Sequence, residues 1–138
     1  TLRVAYGHVK GYSPRDGVYY APYSTLKGIM EKDNPDIFDY NIPQVLRDLY
    51  ASGSTPDTPV CFCATNHTTG GNSGSPVINA DGNLIGINFD RVWEGTMSDI
   101  VFDPDYCRNI ALDVRYLLFI VEKIGGATWL LDEMSFVD

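Results

Sequence analysis

The chain has 138 residues, enough for one domain with a sizeable core, and its 44% hydrophobic and 20% charged content is that of a globular protein rather than a disordered one. Its 18 acidic against 10 basic residues leave a net charge of −8, which argues against nucleic acid or an anionic membrane surface as a partner. The longest purely apolar run, Tyr116–Val121, is far short of the ~20 residues that span a bilayer, so no membrane insertion is expected.

Leu2-Arg3-Val4-Ala5-Tyr6 reads as a strand directly after Thr1, with neither an initiator Met nor a signal peptide before it, so the chain is expected to start inside a longer one. Tyr6, Gly7, Gly11, Tyr12, Pro14, Gly17, Tyr19 and Tyr20 then bracket short alternating runs, the pattern of strands joined by tight turns, with no run long enough for a helix. From Ile42 to Tyr50, Val45, Leu46 and Leu49 recur at helical spacing behind Pro43, which suits the first turn of a short helix; residues 52–59 read as a loop. Val60-Cys61-Phe62-Cys63-Ala64 is a short apolar run suited to a buried strand, and it leads into a polar, glycine-rich segment, residues 65–76.

Val77-Ile78 and Leu84-Ile85-Gly86-Ile87 flank Asp81-Gly82, which predicts a β-hairpin whose two central residues both take positive φ. Tyr116, Leu117, Ile120, Val121 and Ile124 have helical spacing that ends at Gly125-Gly126, where a glycine C-cap belongs, and residues 130–134 add a further turn. The sum is a mainly β chain, a small antiparallel barrel with a C-terminal helical tail. Three cysteines allow at most one internal bridge; Cys61 and Cys63 share a strand face and read as buried small hydrophobes, because no cluster completes a metal site around them or Cys107. Neither a metal nor a cofactor is expected. Trp93, the tyrosines and the apolar face of residues 116–124 read as core packing.

The chemistry concentrates in Thr68-Thr69-Gly70-Gly71-Asn72-Ser73-Gly74-Ser75-Pro76. A serine nucleophile must stand exposed on a tight turn whose amides converge on the developing oxyanion, and only a side-chain-poor backbone allows that convergence. Composition alone also allows a glycine-rich turn with incidental serines. The whole string resembles the nucleophile loop of chymotrypsin-fold serine peptidases, especially the bacterial glutamyl endopeptidases and dipeptidyl peptidases. By that resemblance Ser73 is the nucleophile and Gly71 an oxyanion donor. Trypsin-type enzymes carry Asp where this chain has Asn72, so an activation switch through a freed amine is not expected, and hydrogen bonds of the Asn side chain should hold the loop instead.

Serine needs an imidazole oriented by a carboxylate. His67 lies six residues before Ser73 on the same loop, and His8 near the end of the first predicted strand; both read as loop or structural residues. The base and its carboxylate are therefore expected upstream, in an N-terminal half of a parent chain.

The resemblance extends further. Tyr6-Gly7-x-Val9-Lys10-Gly11-Tyr12-x-Pro14, Asn88-Phe89-Asp90-Arg91-x-Trp93-Glu94 and Asp113-x-Arg115-Tyr116 are similar to the C-terminal catalytic segment of the bacterial dipeptidyl-peptidase 7 and 11 family. It implies the second six-stranded barrel of a chymotrypsin-like double barrel over residues 1–111, with a helical tail over 112–138. It also implies a homodimer at the periplasm or cell surface of a Gram-negative bacterium, acting on peptides. Arg91 falls on the strand that walls the pocket for the residue before the scissile bond, where members of the acid-selective type carry Arg. Charge-assisted hydrogen bonds to a carboxylate are worth roughly 1.5–3 kcal/mol each, enough to set a preference for Asp or Glu. Asp90 beside it matches the family's anchor for the substrate α-ammonium. Charge pattern alone also allows a surface Arg91 paired with Asp90 or Glu94, and an Asp90 that merely orients Arg91. Beside release of dipeptides with an acidic second residue stand a glutamyl endopeptidase and a non-catalytic β-barrel module.

Overall fold

The computed structural model describes residues 2–137; Thr1 and Asp138, the outer bounds of the two predicted units, lie outside them. Strands β1 (Tyr12–Arg15) and β2 (Val18–Tyr20) form a hairpin. Strands β3 (Tyr23–Thr25), β4 (Pro59–Ala64), β5 (Pro76–Ile78), β6 (Leu84–Arg91) and β7 (Asn109–Asp113) hydrogen-bond as a five-stranded antiparallel sheet in the order β3-β4-β7-β6-β5. The mainly β architecture read from the sequence is the one that forms, and its strands pair as this sheet with the hairpin beside it.

Helices α1 (Leu26–Met30), α2 (Gln44–Ala51) and α3 (Val114–Phe119) cover one side of the sheet. Leu26, Ile42, Leu46, Val60 and Phe119 make its buried core, with Leu112, Tyr116 and Ile120 packed against them. Helix α2 starts where the sequence places it, but Pro43 is its N-cap rather than part of its first turn. Helix α1 has no sequence counterpart: five residues with Gly28 inside carry little helical signal, and burial of Leu26 holds the turn. Arg47 of α2 donates to both oxygens of Asp33, at 2.7 and 2.8 Å, which ties the helix to the loop before it.

Strand β4 alternates as a sheet strand must, burying Val60, Phe62 and Ala64 and leaving Cys61 and Cys63 half-buried on the other face rather than buried. All three cysteines are free thiols, and burial pushes the Cys61 and Cys63 thiols up.

Five further expectations are corrected. Leu2–Tyr6 forms no strand, because β4 is paired along both edges and only its end remains, where Val9 bridges Ala64 and the Thr65 amide donates to the His8 carbonyl at 3.0 Å. The Asp81-Gly82 turn has positive φ at Gly82 alone (+86°). There the Asn79 side chain accepts from the amides of Asp81 and Asn83, at 3.0 and 2.9 Å, and fixes a three-residue loop that needs only one left-handed residue. The C-terminal run is α-helical only through Phe119 and continues as a π-helix over Ile120–Ile124, closed by Gly126 at φ +61° and an Ala127 amide donating to Val121 at 3.1 Å. Helix α4 (Thr128–Asp132) begins two residues before the turn predicted at residues 130–134. Trp93 is not core at all: it stands 86% exposed, and Tyr6 is 89% exposed.

Leu46→Ala should lower stability by about 2–4 kcal/mol, as for other buried leucines, while Val45→Ala on the exposed face of α2 stays within about 1 kcal/mol. Denaturation midpoints of the two variants check the contrast.

Candidate active site

Ser73 lies on the loop between β4 and β5 and is exposed, with its Oγ donating to the Phe89 carbonyl at 3.2 Å. That carbonyl is free because β6 carries an irregularity: Asn88 pairs with Ala111 and Asp90 with Ile110, leaving Phe89 as the extra residue. Gly71 has φ +101°, a conformation an L side chain rarely adopts, and it lets the chain reverse just before the serine.

The loop amides alternate. The Asn72 amide donates to Thr69 at 3.1 Å and the Gly74 amide to Asn88 at 2.8 Å, whereas the Gly71 and Ser73 amides have no acceptor among the described residues. Two unengaged N–H groups beside an exposed hydroxyl are the donor set that stabilises a tetrahedral oxyanion. The Asn72 side chain holds the loop as expected, its Oδ1 accepting the Thr69 amide at 2.9 Å.

Behind the loop stands a residue the sequence reading passed over. Asn88 is buried; its amide donates to the Ser75 carbonyl at 2.9 Å, its carbonyl accepts from Gly74, and its Nδ2 donates to the Asn72 carbonyl at 3.2 Å. Asn109 Nδ2 donates to Asn88 Oδ1 at 2.9 Å and so fixes which way the Asn88 amide faces. Because the Asn72 carbonyl and the Ser73 N–H belong to one planar peptide, anchoring the first aims the second in the opposite direction. The available signal was polarity out of place, an Asn at the centre of Ile87-Asn88-Phe89 and of Arg108-Asn109-Ile110.

Neither histidine touches Ser73. His67 Nε2 lies 3.0 Å from the Ser98 carbonyl, with its ring 4.6 Å from that of Phe102, and His8 engages Thr65 through its backbone.

Arg91 ends β6, and the Nη atoms of its half-buried side chain meet Asp99 end-on, at 2.8 and 2.6 Å, with Ser98 Oγ at 2.9 Å. Its partner is therefore neither Asp90 nor Glu94. Asp90 Oδ1 accepts the Arg91 backbone amide at 2.8 Å, and Glu94 accepts from the Tyr12 hydroxyl at 2.7 Å. Hydrogen bonding from Arg91 holds the Asp99 carboxyl below its ordinary value, and burial together with Glu94 pushes the Tyr12 phenol up. The same cleft is lined by Arg108, buried without a carboxylate partner among the described residues. It donates instead to the carbonyls of Lys10, Gly11, Pro104 and Cys107 and packs its guanidinium 5.7 Å from the centre of the Tyr12 ring.

An exposed serine on a glycine turn, with two unengaged amides and an antiparallel sheet beneath, is an arrangement suited to acyl transfer. The chain belongs to the Peptidase S46 family, whose model matches residues 1–136. It is 57% identical to the Asp/Glu-specific dipeptidyl-peptidase of Flavobacterium psychrophilum over 99% of its length, and 49% identical to dipeptidyl-peptidase 7 of Phocaeicola vulgatus over 100%. It superposes on the crystal structure of Porphyromonas endodontalis DPP11 in complex with the dipeptide Arg-Glu with a TM-score of 0.92 and 52% identity, over 96% of this chain and 20% of that one. The chain spans about a fifth of the length of the relatives it matches, 20% of each of the two above.

Two outcomes are expected. Asn88→Ala should slow fluorophosphonate labelling of Ser73 by about 10- to 100-fold, less than or equal to the loss of a whole oxyanion donor. Because the Asp99 carboxyl is depressed, its pair with Arg91 is intact above the ordinary 3.8 and is lost as pH falls through the lower folded value. An NMR titration of the Asp99 carboxyl should give a midpoint below 3.8.

Proposed function

We propose that this chain supplies the nucleophile, oxyanion donors and selectivity pocket of a serine-type dipeptidyl peptidase that releases N-terminal dipeptides with Asp or Glu in second position. The observation that carries this reading is the placement of Arg91 two residues along β6 from the carbonyl that touches Ser73, roughly 6–7 Å of extended chain. A cation at that distance from the nucleophile suits the side chain of the residue being cleaved. The Asp/Glu specificity of the Flavobacterium psychrophilum relative and the Arg-Glu dipeptide bound in the Porphyromonas endodontalis structure support the same choice.

In the reaction Ser73 Oγ attacks the carbonyl carbon of the second residue while its proton passes to an imidazole from another segment of the enzyme. The oxyanion that forms is held by the Gly71 and Ser73 amides. Collapse expels the new N-terminal amine, which takes the imidazole's proton, and water then releases the dipeptide from Ser73. Asp90 keeps Oδ2 without a partner among the described residues, and this oxygen anchors the substrate's α-ammonium, which fixes the cut two residues from the end. The reading carries with it residues 1–111 as the second barrel, a homodimeric parent enzyme with its His and Asp in an N-terminal half, and a periplasmic or cell-surface setting.

Ser73→Ala in the full-length enzyme should abolish fluorophosphonate labelling and turnover. An amine-blocked peptide should not be cut, and its cleavage would instead favour an endopeptidase. Arg91→Gly should lower kcat/KM for acidic second residues by about 100-fold or more and admit apolar ones, as expected for the loss of two charge-assisted hydrogen bonds of roughly 1.5–3 kcal/mol each. The isolated chain should show little turnover for want of the imidazole.

A further inference from the structure

The Arg91 guanidinium has five N–H donors, and the structure engages three of them. Nη1 donates to Ser98 Oγ at 2.9 Å and to Asp99 Oδ1 at 2.8 Å, and Nη2 donates to Asp99 Oδ2 at 2.6 Å. The Nε–H and the second Nη2–H have no acceptor among the described residues. In a planar guanidinium these two lie parallel along one edge, at the spacing of two carboxylate oxygens.

The bracing groups are themselves fixed. Ser98 and Asp99 close the 3₁₀ segment Trp93–Asp99, whose Gly95 and Ser98 are buried. The Ser98 carbonyl contacts His67, and the Val92 amide at the head of the segment donates to Arg108 at 3.0 Å. A free arginine side chain loses about 2 kcal/mol of rotamer freedom when it is ordered, and here that ordering precedes any ligand. Asp99 also brings one negative charge to the one positive charge of Arg91. A monodentate anion therefore meets a nearly neutral pair, whereas a carboxylate that takes both free donors gains two directed hydrogen bonds.

We propose that Ser98 and Asp99 are positioning residues for specificity, holding Arg91 end-on so that its side edge is presented to the carboxylate of the substrate's second residue. This rests on the reading of Arg91 as the acid-selective residue. Selection is then by bidentate geometry rather than by net positive charge, which also explains how a pocket in an acidic chain accepts carboxylates without collecting anions in general.

The test uses the full-length enzyme and fluorogenic dipeptidyl substrates that differ only in Glu, Gln or Leu at the second position. Asp99→Ala should raise KM for the Glu substrate about tenfold with a smaller change in kcat, and its loss on Glu should exceed that on Leu about fivefold or more. Sulfate should inhibit Asp99→Ala more strongly than the parent, since the guanidinium charge is no longer offset; a merely structural role for Asp99 would not produce that gain. Asp99→Asn, which keeps one acceptor, should fall between the two. An unchanged or lowered KM for Glu in Asp99→Ala would overturn the brace and make Asp99 a bystander or a competitor for Arg91. If Asp99→Ala fails to fold, judged by loss of Ser73 labelling, Asp99→Asn decides: a KM for Glu raised about threefold or more supports the brace, and no rise overturns it. Arg91→Gly separates the two ideas. Unchanged acidic preference there defeats the functional reading itself, while lost preference with a silent Asp99→Ala defeats only the brace.

Discussion

Asn88 sits where three parts of the molecule meet. Its backbone continues the β5–β6 ladder to Ser75 and Gly74, its side-chain nitrogen holds the Asn72 carbonyl, and its side-chain oxygen is held by Asn109 of β7. The glycine turn is in this way welded to the sheet by groups already buried, so the direction of the Ser73 amide is set by the fold rather than by the loop. A buried amide that lost one of these partners would carry an unsatisfied polar atom at a cost of about 1–3 kcal/mol, which is why the network holds one arrangement rather than several.

The irregularity in β6 is the second dependence. A regular strand would spend the Phe89 carbonyl or turn it away; the extra residue frees it for Ser73 and leaves Asp90 and Arg91 beyond it at the strand's end. The Ser73 hydroxyl, the Phe89 carbonyl and the Arg91 guanidinium are thus placed by one strand and the loop paired to it. The core cluster of Leu26, Ile42, Leu46, Val60 and Phe119 includes none of these residues.

How much of this was legible follows from the range of each interaction. The glycine turn around Ser73 could be read because the demand for a bare, sharply turning backbone is written in consecutive residues. The hairpin at Asp81-Gly82 was legible as a hairpin but not in its turn geometry, because the Asn79 side chain decides that from two residues away. Trp93 misled because a large aromatic in a patterned segment is usually buried. Asp99 left no trace: an Arg–Asp pair eight residues apart across a 3₁₀ segment has no periodicity to announce it. Asn88 and Asn109 were visible as polar residues in apolar strands, but their partnership exists only once β6 and β7 pair.

Arg108 gives the cleft a property that the sequence charge conceals. The residue is 3% exposed, and its guanidinium is balanced by the carbonyls of Lys10, Gly11, Pro104 and Cys107 rather than by an anion. Backbone carbonyls have no proton to gain, so as pH falls the Arg91–Asp99 pair is lost while these contacts of Arg108 remain.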